Sequence, residues 1–137
     1  FKLTADHWLF DADKAQQRRK KFRAMSHIIP LQWPAKETML STATHNGTPI
    51  AAMLFLLHGN TATYQIGWSC PEGRSFCAHH RLLHEATEHL KAKGIQRLDL
   101  GTIDTVNSAG LARFKLGAGA SVRQLGGTWA ALPLWRR

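Results

Sequence analysis

The stretch Ile95–Gly119, IQRLDLGTIDTVNSAGLARFKLGAG, decides how the rest of the chain is read. Residues Ile95 to Ile103 read as a buried strand with Leu98 and Leu100 on one face. Ser108 to Leu116 read as a short helix that Gly117 stops. Between them lies the polar loop TIDTVNS, at the carboxyl end of the strand. Ligands usually sit at that end of the strands in open α/β sheets.

Upstream of this strand, Phe76 to Lys93 reads as a long helix with Leu83, Ala86 and Leu90 as its buried stripe and Leu82 beside it. Gly94 ends it in the left-handed cap position. A strand before this helix and the strand after it are joined by a crossover, which predicts a parallel, right-handed pair. The strand before it is Thr61 to Trp68, which alternates Ala62, Tyr64, Ile66 and Trp68 against Thr61, Thr63, Gln65 and Gly67. Earlier still, Met39 to Thr44 and Ile50 to Leu57 flank Asn46-Gly47, a strong hairpin signal, and Gly59-Asn60 makes the next turn. The continuous apolar run of Ile50 to Leu57 suits a central strand covered on both faces. The segment Ser69 to Ser75 reads as a loop.

The amino-terminal part is predicted to hold a short edge strand, Phe1 to Thr4, and a helix from Asp11 or Asp13 to about Met25. That helix has Ala15, Phe22 and Met25 as a partial apolar stripe. Its polar face carries Arg18, Arg19, Lys20, Lys21 and Arg23, either a solvated surface or a patch that meets phosphates. At the other end, Ser121 to Leu125 and Thr128 to Leu132 flank Gly126-Gly127 as a terminal hairpin. Its free edge would suit a homodimer. The expected fold class is α/β: a mixed sheet with an antiparallel N-terminal meander, a parallel pair at a crossover helix and a C-terminal hairpin. One domain is expected over 1–137, with 1–36 a basic helical leader and 37–137 the core.

Composition narrows the partners. The 137 residues carry 18 Lys and Arg against 9 Asp and Glu, a formal net charge of +9. That balance favours a polyanionic partner: a nucleic acid, a nucleotide-like cofactor or an acidic surface. The longest apolar run has eight residues, far short of the ~18 a membrane span needs. Two cysteines, Cys70 and Cys77, are too few for a disulfide scaffold, so a reducing, cytoplasmic setting is expected.

The order of elements resembles the GNAT acyltransferase superfamily. Leu98-Asp99-Leu100-Gly101, then Gly110-Leu111-Ala112-Arg113-Phe114-Lys115-Leu116-Gly117, is similar to the FemAB-like branch, which builds peptidoglycan cross-bridges, and to its single-domain relatives. So are Leu82-Leu83 and Lys91-Ala92-Lys93-Gly94. The resemblance covers about Met39 to Pro133. It implies a donor site at a splay between the strand ending at Trp68 and the strand starting at Ile95. Backbone groups of Ile66, Gly67 and Trp68 would hold the donor's pantetheine arm. Its pyrophosphate would sit at the amino end of the long helix, near Pro71-Glu72-Gly73-Arg74-Ser75, with Arg74 a bidentate phosphate ligand.

Two departures from the family pattern bear on the donor. The Arg/Gln-x-x-Gly-x-Gly/Ala phosphate loop is absent, and Glu72 puts a negative charge nearby. Arg113 stands where the general-acid tyrosine often is, and the only tyrosine, Tyr64, lies on a strand. The pair Phe114-Lys115 resembles one that FemAB-like proteins associate with an RNA-linked donor. The resemblance therefore implies transfer of an acyl group from acyl-CoA (acetyl-CoA) to an amine of unknown identity. The alternatives are an aminoacyl-tRNA-dependent transferase or an inactive binding module with the same fold.

Amide formation needs a neutral amine, a polarised carbonyl and a proton for the leaving group. Asp104, at the mouth of the expected site, is either the proton acceptor or a turn-capping aspartate. Lys115 either stabilises negative charge or is a solvated lysine near a helix end. Asn107 either anchors its loop or touches the donor, and Arg113 is an anion contact or surface. Asp99 is expected to be a buried, hydrogen-bonded carboxylate. Cys70, Cys77, His79, His80 and His84 match no zinc spacing, so no metal is expected. Trp68 and Trp129 are assigned to packing rather than to base stacking.

Overall fold

The computed structural model describes residues 2–20 and 25–127. These divide into two compact units, one ending at Thr102 and one beginning at Ile103. The first unit is a four-stranded mixed sheet in the order β1-β2-β3-β4, with β1 Thr38–His45, β2 Thr48–His58, β3 Thr61–Ser69 and β4 Arg97–Asp99. Helix α1 (Trp8–Lys20) and the short α2 (Ile28–Gln32) precede the sheet. The five-residue α3 (Pro71–Ser75) and the long α4 (Ala78–Ala92) connect β3 to β4. β1, β2 and β3 run antiparallel, and β4 pairs parallel to β3, as the sequence predicts. The second unit contains α5, Ala109–Gly117.

β2 is the centre of the packing because its alternate residues serve two layers. Ala52 and Leu54 join Leu3, Leu9, Phe10 and Ile66 in one core cluster, with Trp8, Leu31, Leu40 and Trp68 around it. Ala51, Met53 and Phe55 are wholly buried on the opposite face, where α4 packs with Leu82, Leu83, Ala86 and Leu90. Deleting Phe10 or Phe55 to alanine would cost about 3–5 kcal/mol by the usual cavity arithmetic. The amino-terminal residues thus supply core to the sheet rather than standing off as a leader.

Several expectations change at this level. α1 starts at Trp8, and its buried residues are Leu9, Phe10, Asp13 and Gln16, while Ala15 and Met25 are exposed. Phe22 lies outside the described residues. Two of the four buried positions are polar, so no count of apolar periodicity reveals that face. Residues 2–4 form no strand, although Leu3 is buried.

A bulge between Leu54 and Phe55 of β2 and Tyr64 and Ile66 of β3 leaves Gln65 unpaired. It breaks the alternation, so Ile66 and Trp68 face α1 while Tyr64 stacks at 5.8 Å on Phe55 of the other face. The expected loop at Ser69–Ser75 is partly the helix α3, whose cap is the Cys70 thiol accepting from Gly73 N–H at 3.4 Å. β4 is only three residues long, and Gly101 follows it at φ +75°. Asp99 is exposed, its Oδ1 accepting from Gly101 N–H at 2.7 Å, so it shapes that turn instead of being buried. α5 runs through Gly117, and the left-handed residue after it is Gly119. Residues 121–127 form no strand, and the second arm of the expected hairpin lies outside the described residues.

Candidate active site

The short β3–β4 pairing defines the site. Only Thr61, Ala62 and Thr63 pair with Arg97, Leu98 and Asp99, so from Tyr64 to Ser69 the β3 edge has no partner on β4. Which backbone groups face that edge follows from the alternation of a β-ladder. Cys70 N–H donates to Ile50 O at 3.0 Å, which sets the phase. Trp68 and Ile66 then turn their backbone groups to β2, and Ser69 and Gly67 turn theirs outward. Side-chain partners agree. Gln16 Nε2 of α1 donates to Gly67 O at 2.9 Å, and Arg74 Nη1 donates to Ser69 O at 2.9 Å.

Of the three residues expected to offer backbone groups to a donor, Gly67 therefore has the right orientation, while Ile66 and Trp68 do not. The Ile66 side chain is core, and the Trp68 ring meets Trp8 edge-on at 5.3 Å. The outward carbonyls of Gly67 and Ser69 are already engaged, which leaves the outward N–H groups to receive an acceptor. Gly67 also has to be glycine: a Cβ there would lie 1.5 Å from the Tyr64 hydroxyl, so the phenol occupies the place of a side chain. Burial, and then the charge of Asp13, raises the Tyr64 pKa well above the usual phenol range. The hydroxyl is neutral throughout physiological pH.

Cations gather at the amino end of α4. Burial lowers the pKa of Lys20, and the neighbouring charges of Arg19 and Arg74 lower it further. His79, in the first turn of α4, is pushed down to about 4 by burial and then by Lys20, His80 and Arg74. Lys20 from the end of α1, Arg74 from α3 and His79 from α4 therefore share one neighbourhood, where positive charge repels positive charge. The amino end of a fifteen-residue helix adds its own partial positive charge. Such a place suits a phosphate. Glu72, which the sequence sets beside it, accepts at Oε1 from His45 Nδ1 at 2.6 Å. Ser75 is exposed and donates its hydroxyl to Glu72 O at 2.7 Å.

The second unit holds the other sequence-predicted residues. Asp104 is exposed; its Oδ1 accepts from Val106 N–H (3.0 Å) and Asn107 N–H (2.8 Å), and its Oδ2 from Asn107 Nδ2 (2.9 Å). Those bonds, chiefly that from the Asn107 backbone, hold its carboxyl below the usual range. A general base needs a pKa near the working pH, so this geometry suits a loop anchor better than a proton acceptor. Asn107 is the partner in that anchor. Lys115 is buried, not solvated, and Phe114 beside it is half-buried.

Sequence reasoning missed Gln16, read Asp13 only as a possible helix cap, and left Lys20 in a basic face that was either solvated or a phosphate patch. Their only local sign is polarity inside an amphipathic helix. A shallow cleft of about 380 Å³, lined by Thr42, Thr44, Phe76, Arg81 and Glu85 among others, lies on the β1 side of the sheet, across β2 from the open edge. Among the described residues no three His, Cys, Asp or Glu side chains converge as a metal site would, and no helix is long and apolar enough to cross a membrane.

Known structures share this architecture. An aminoglycoside acetyltransferase from an uncultured soil metagenomic sample, in complex with sisomicin, superposes with a TM-score of 0.66 at 12% identity, covering 91% of this chain and 86% of that one. The same enzyme in complex with trehalose gives 0.65 at 10% identity, with the same coverage. The ribosomal-protein-alanine N-acetyltransferase of Brucella melitensis biovar Abortus 2308 gives 0.59 at 12% identity, covering 90% of this chain and 95% of that one. At such identities the likeness is one of fold. No curated protein matches the chain in sequence. The family model described as acetyltransferase (GNAT) domain matches residues 1–120, and with the open strand edge and the cationic helix end in view the chain belongs to that family, as an N-acyltransferase domain.

Proposed function

We propose that this domain transfers an acetyl or longer acyl group from acyl-CoA to a primary amine, using the open edge of β3 as the donor site. The observation that carries the reading is the end of β3–β4 pairing at Thr63 and Asp99, six residues before β3 itself ends at Ser69. Outward N–H groups at Gly67 and Ser69 are suited to the amide carbonyls of a pantetheine arm. Lys20 and Arg74 are suited to its phosphates, with His79 lining the same pocket of charge. The thioester supplies the activated acyl carbon; the chain's residues bind it, orient it and exclude water. The solved neighbours are named for acting on an aminoglycoside and on a ribosomal-protein alanine. Both are amines, and we assign the acceptor here to that class without choosing within it.

Thermal unfolding with CoA, acetyl-CoA and tRNA tests the donor. At a ligand concentration a hundred times Kd, binding adds about 2.7 kcal/mol, a rise of roughly 5–10 °C for a chain of this size. Acetyl-CoA is expected to give that rise, and a Lys20→Glu/Arg74→Glu double variant to lose it while melting normally without ligand. A tRNA-dependent rise with none from CoA would replace acyl-CoA with an RNA-linked donor. No rise from any of them overturns the donor site.

A further inference from the structure

The short helix α3 lies across one end of the sheet, and its successive residues go to successive strands. Glu72 accepts at Oε1 from Nδ1 of His45, the last residue of β1, at 2.6 Å. Gly73 presses on β2, where a Cβ would lie 2.2 Å from Ile50 O. Arg74 Nη1 donates at 2.9 Å to the carbonyl of Ser69, the last residue of β3. The acid is thus tied on the β1 side and the base on the β3 side, where the donor site opens. With β2 between them, the two outer strands stand roughly 10 Å apart.

Two contacts hold Glu72 there. A carboxylate can only accept, so the proton of its bond to His45 belongs to Nδ1. The His45 ring meets the ring of Phe76 edge-on, at 5.2 Å with 73° between the planes, which fixes the plane in which Nδ1 is presented. Side-chain exposures are 45% for His45 and 49% for Glu72. An ion pair so exposed adds little to folding stability, and its main consequence is where it leaves the charge. On the other side of α3 stand Lys20, Arg74 and His79. Burial lowers the pKa of Lys20 and of His79, and the charges that lower them further are positive: Arg19 and Arg74 on Lys20, and Lys20, His80 and Arg74 on His79.

We propose that His45 is a positioning residue for the donor's phosphates: by holding Glu72 on the β1 side, it keeps the acidic side chain of α3 out of the cationic pocket at the head of α4. The proposal rests on the acyl-CoA reading above. An exposed charge roughly 10 Å away is largely screened at 0.1 M salt, whereas one in contact is not. Released from His45, the Glu72 carboxylate is drawn to Lys20 and Arg74, whose charges then serve it instead of a phosphate. The glutamate that departs from the family's phosphate loop is in this way made compatible with phosphate binding.

The test is the affinity of the chain for acetyl-CoA at low ionic strength, by titration calorimetry. His45→Phe keeps a ring beside Phe76 and removes the hydrogen-bond donor. Its Kd is expected to rise about 3- to 10-fold, the effect of bringing one unit charge from a Debye length to contact at a protein surface. Adding Glu72→Gln should return the Kd to within about twofold of wild type, because the freed charge is then gone. S-acetylpantetheine carries the thioester without phosphates, so its kcat/KM with a primary amine should be the same in all these variants. A His45→Phe variant with wild-type affinity overturns the proposal, as does a loss that Glu72→Gln fails to repair or that S-acetylpantetheine shares. Should His45→Phe not fold, Glu72→Gln alone decides. With the carboxylate already held away, that change should leave the Kd within about twofold of wild type, and a larger tightening would show Glu72 already opposing the phosphates and refute the role. A wild type with no affinity for acetyl-CoA removes the donor reading itself, and this proposal with it.

Discussion

Gly67 and Tyr64 make one spatial unit, and Gly67→Ala should reveal it. The new methyl carbon would sit 1.5 Å from the Tyr64 oxygen, 2.5 Å from Cζ and 3.1 Å from Cε2. The ring cannot simply swing aside, because its neighbour Phe55 is fully buried 5.8 Å away. Overpacking of this kind costs about 1–3 kcal/mol. Alanine for glycine inside a strand returns roughly 0.5–1 kcal/mol of backbone entropy. The net expectation is a loss of about 1–2 kcal/mol, read from the midpoint of urea unfolding at constant slope.

In a Tyr64→Leu background the offending oxygen and Cζ are gone. There Gly67→Ala should be neutral or stabilising by up to about 1 kcal/mol. Tyr64→Phe removes the oxygen but keeps Cζ, so it should relieve only part of the cost. A coupling of about 1–3 kcal/mol between the two positions is therefore predicted. Equal costs of Gly67→Ala with and without the Tyr64→Leu change, within the ~0.5 kcal/mol scatter of additive pairs, would refute the packing account.

Two further expectations come from the same part of the molecule. Gly73→Ala would bring a methyl carbon to 2.2 Å from the Ile50 carbonyl oxygen, which already accepts from Cys70 N–H. Backbone yields less readily than a side chain, so its loss of urea stability should reach at least the top of the roughly 1–3 kcal/mol overpacking range. His79 gives a pH signature: with its folded pKa near 4 and an unfolded value of 6.5, the unfolded chain binds the extra proton between those values. Stability should therefore be intact above about pH 6.5 and decline as pH falls toward 4, by at most about 3 kcal/mol. His79→Gln should flatten that part of the stability curve, and an unchanged slope would count against the buried, neutral histidine.

Much of the framework can be read from local pattern. The meander β1–β3 follows from Asn46-Gly47, Gly59-Asn60 and the apolar run of β2. α4 follows from Leu83, Ala86 and Leu90, with Gly94 closing it at φ +81°. A crossover helix between two strands of one sheet predicts parallel pairing, so the mixed sheet is expected before any coordinate is known. Arg74 enters as a phosphate ligand through the resemblance to the GNAT superfamily, which puts the donor's pyrophosphate at the amino end of the long helix.

What sequence alone determined is therefore the succession of elements and the layer that each apolar face must join, because periodicity and turn chemistry act over a few residues. The tertiary structure decided which polar groups meet. The bulge at Gln65 reverses the faces of Ile66 and Trp68, and its cause lies in the pairing with β2. β4 is three residues long, so from Tyr64 onward β3 has no partner on β4. Gln16 finds Gly67 from 51 residues away, and Asp13 finds His27 from 14. A buried polar side chain is stable only when a partner satisfies it. Its partner is set by how helices lie on the sheet, which no local pattern encodes.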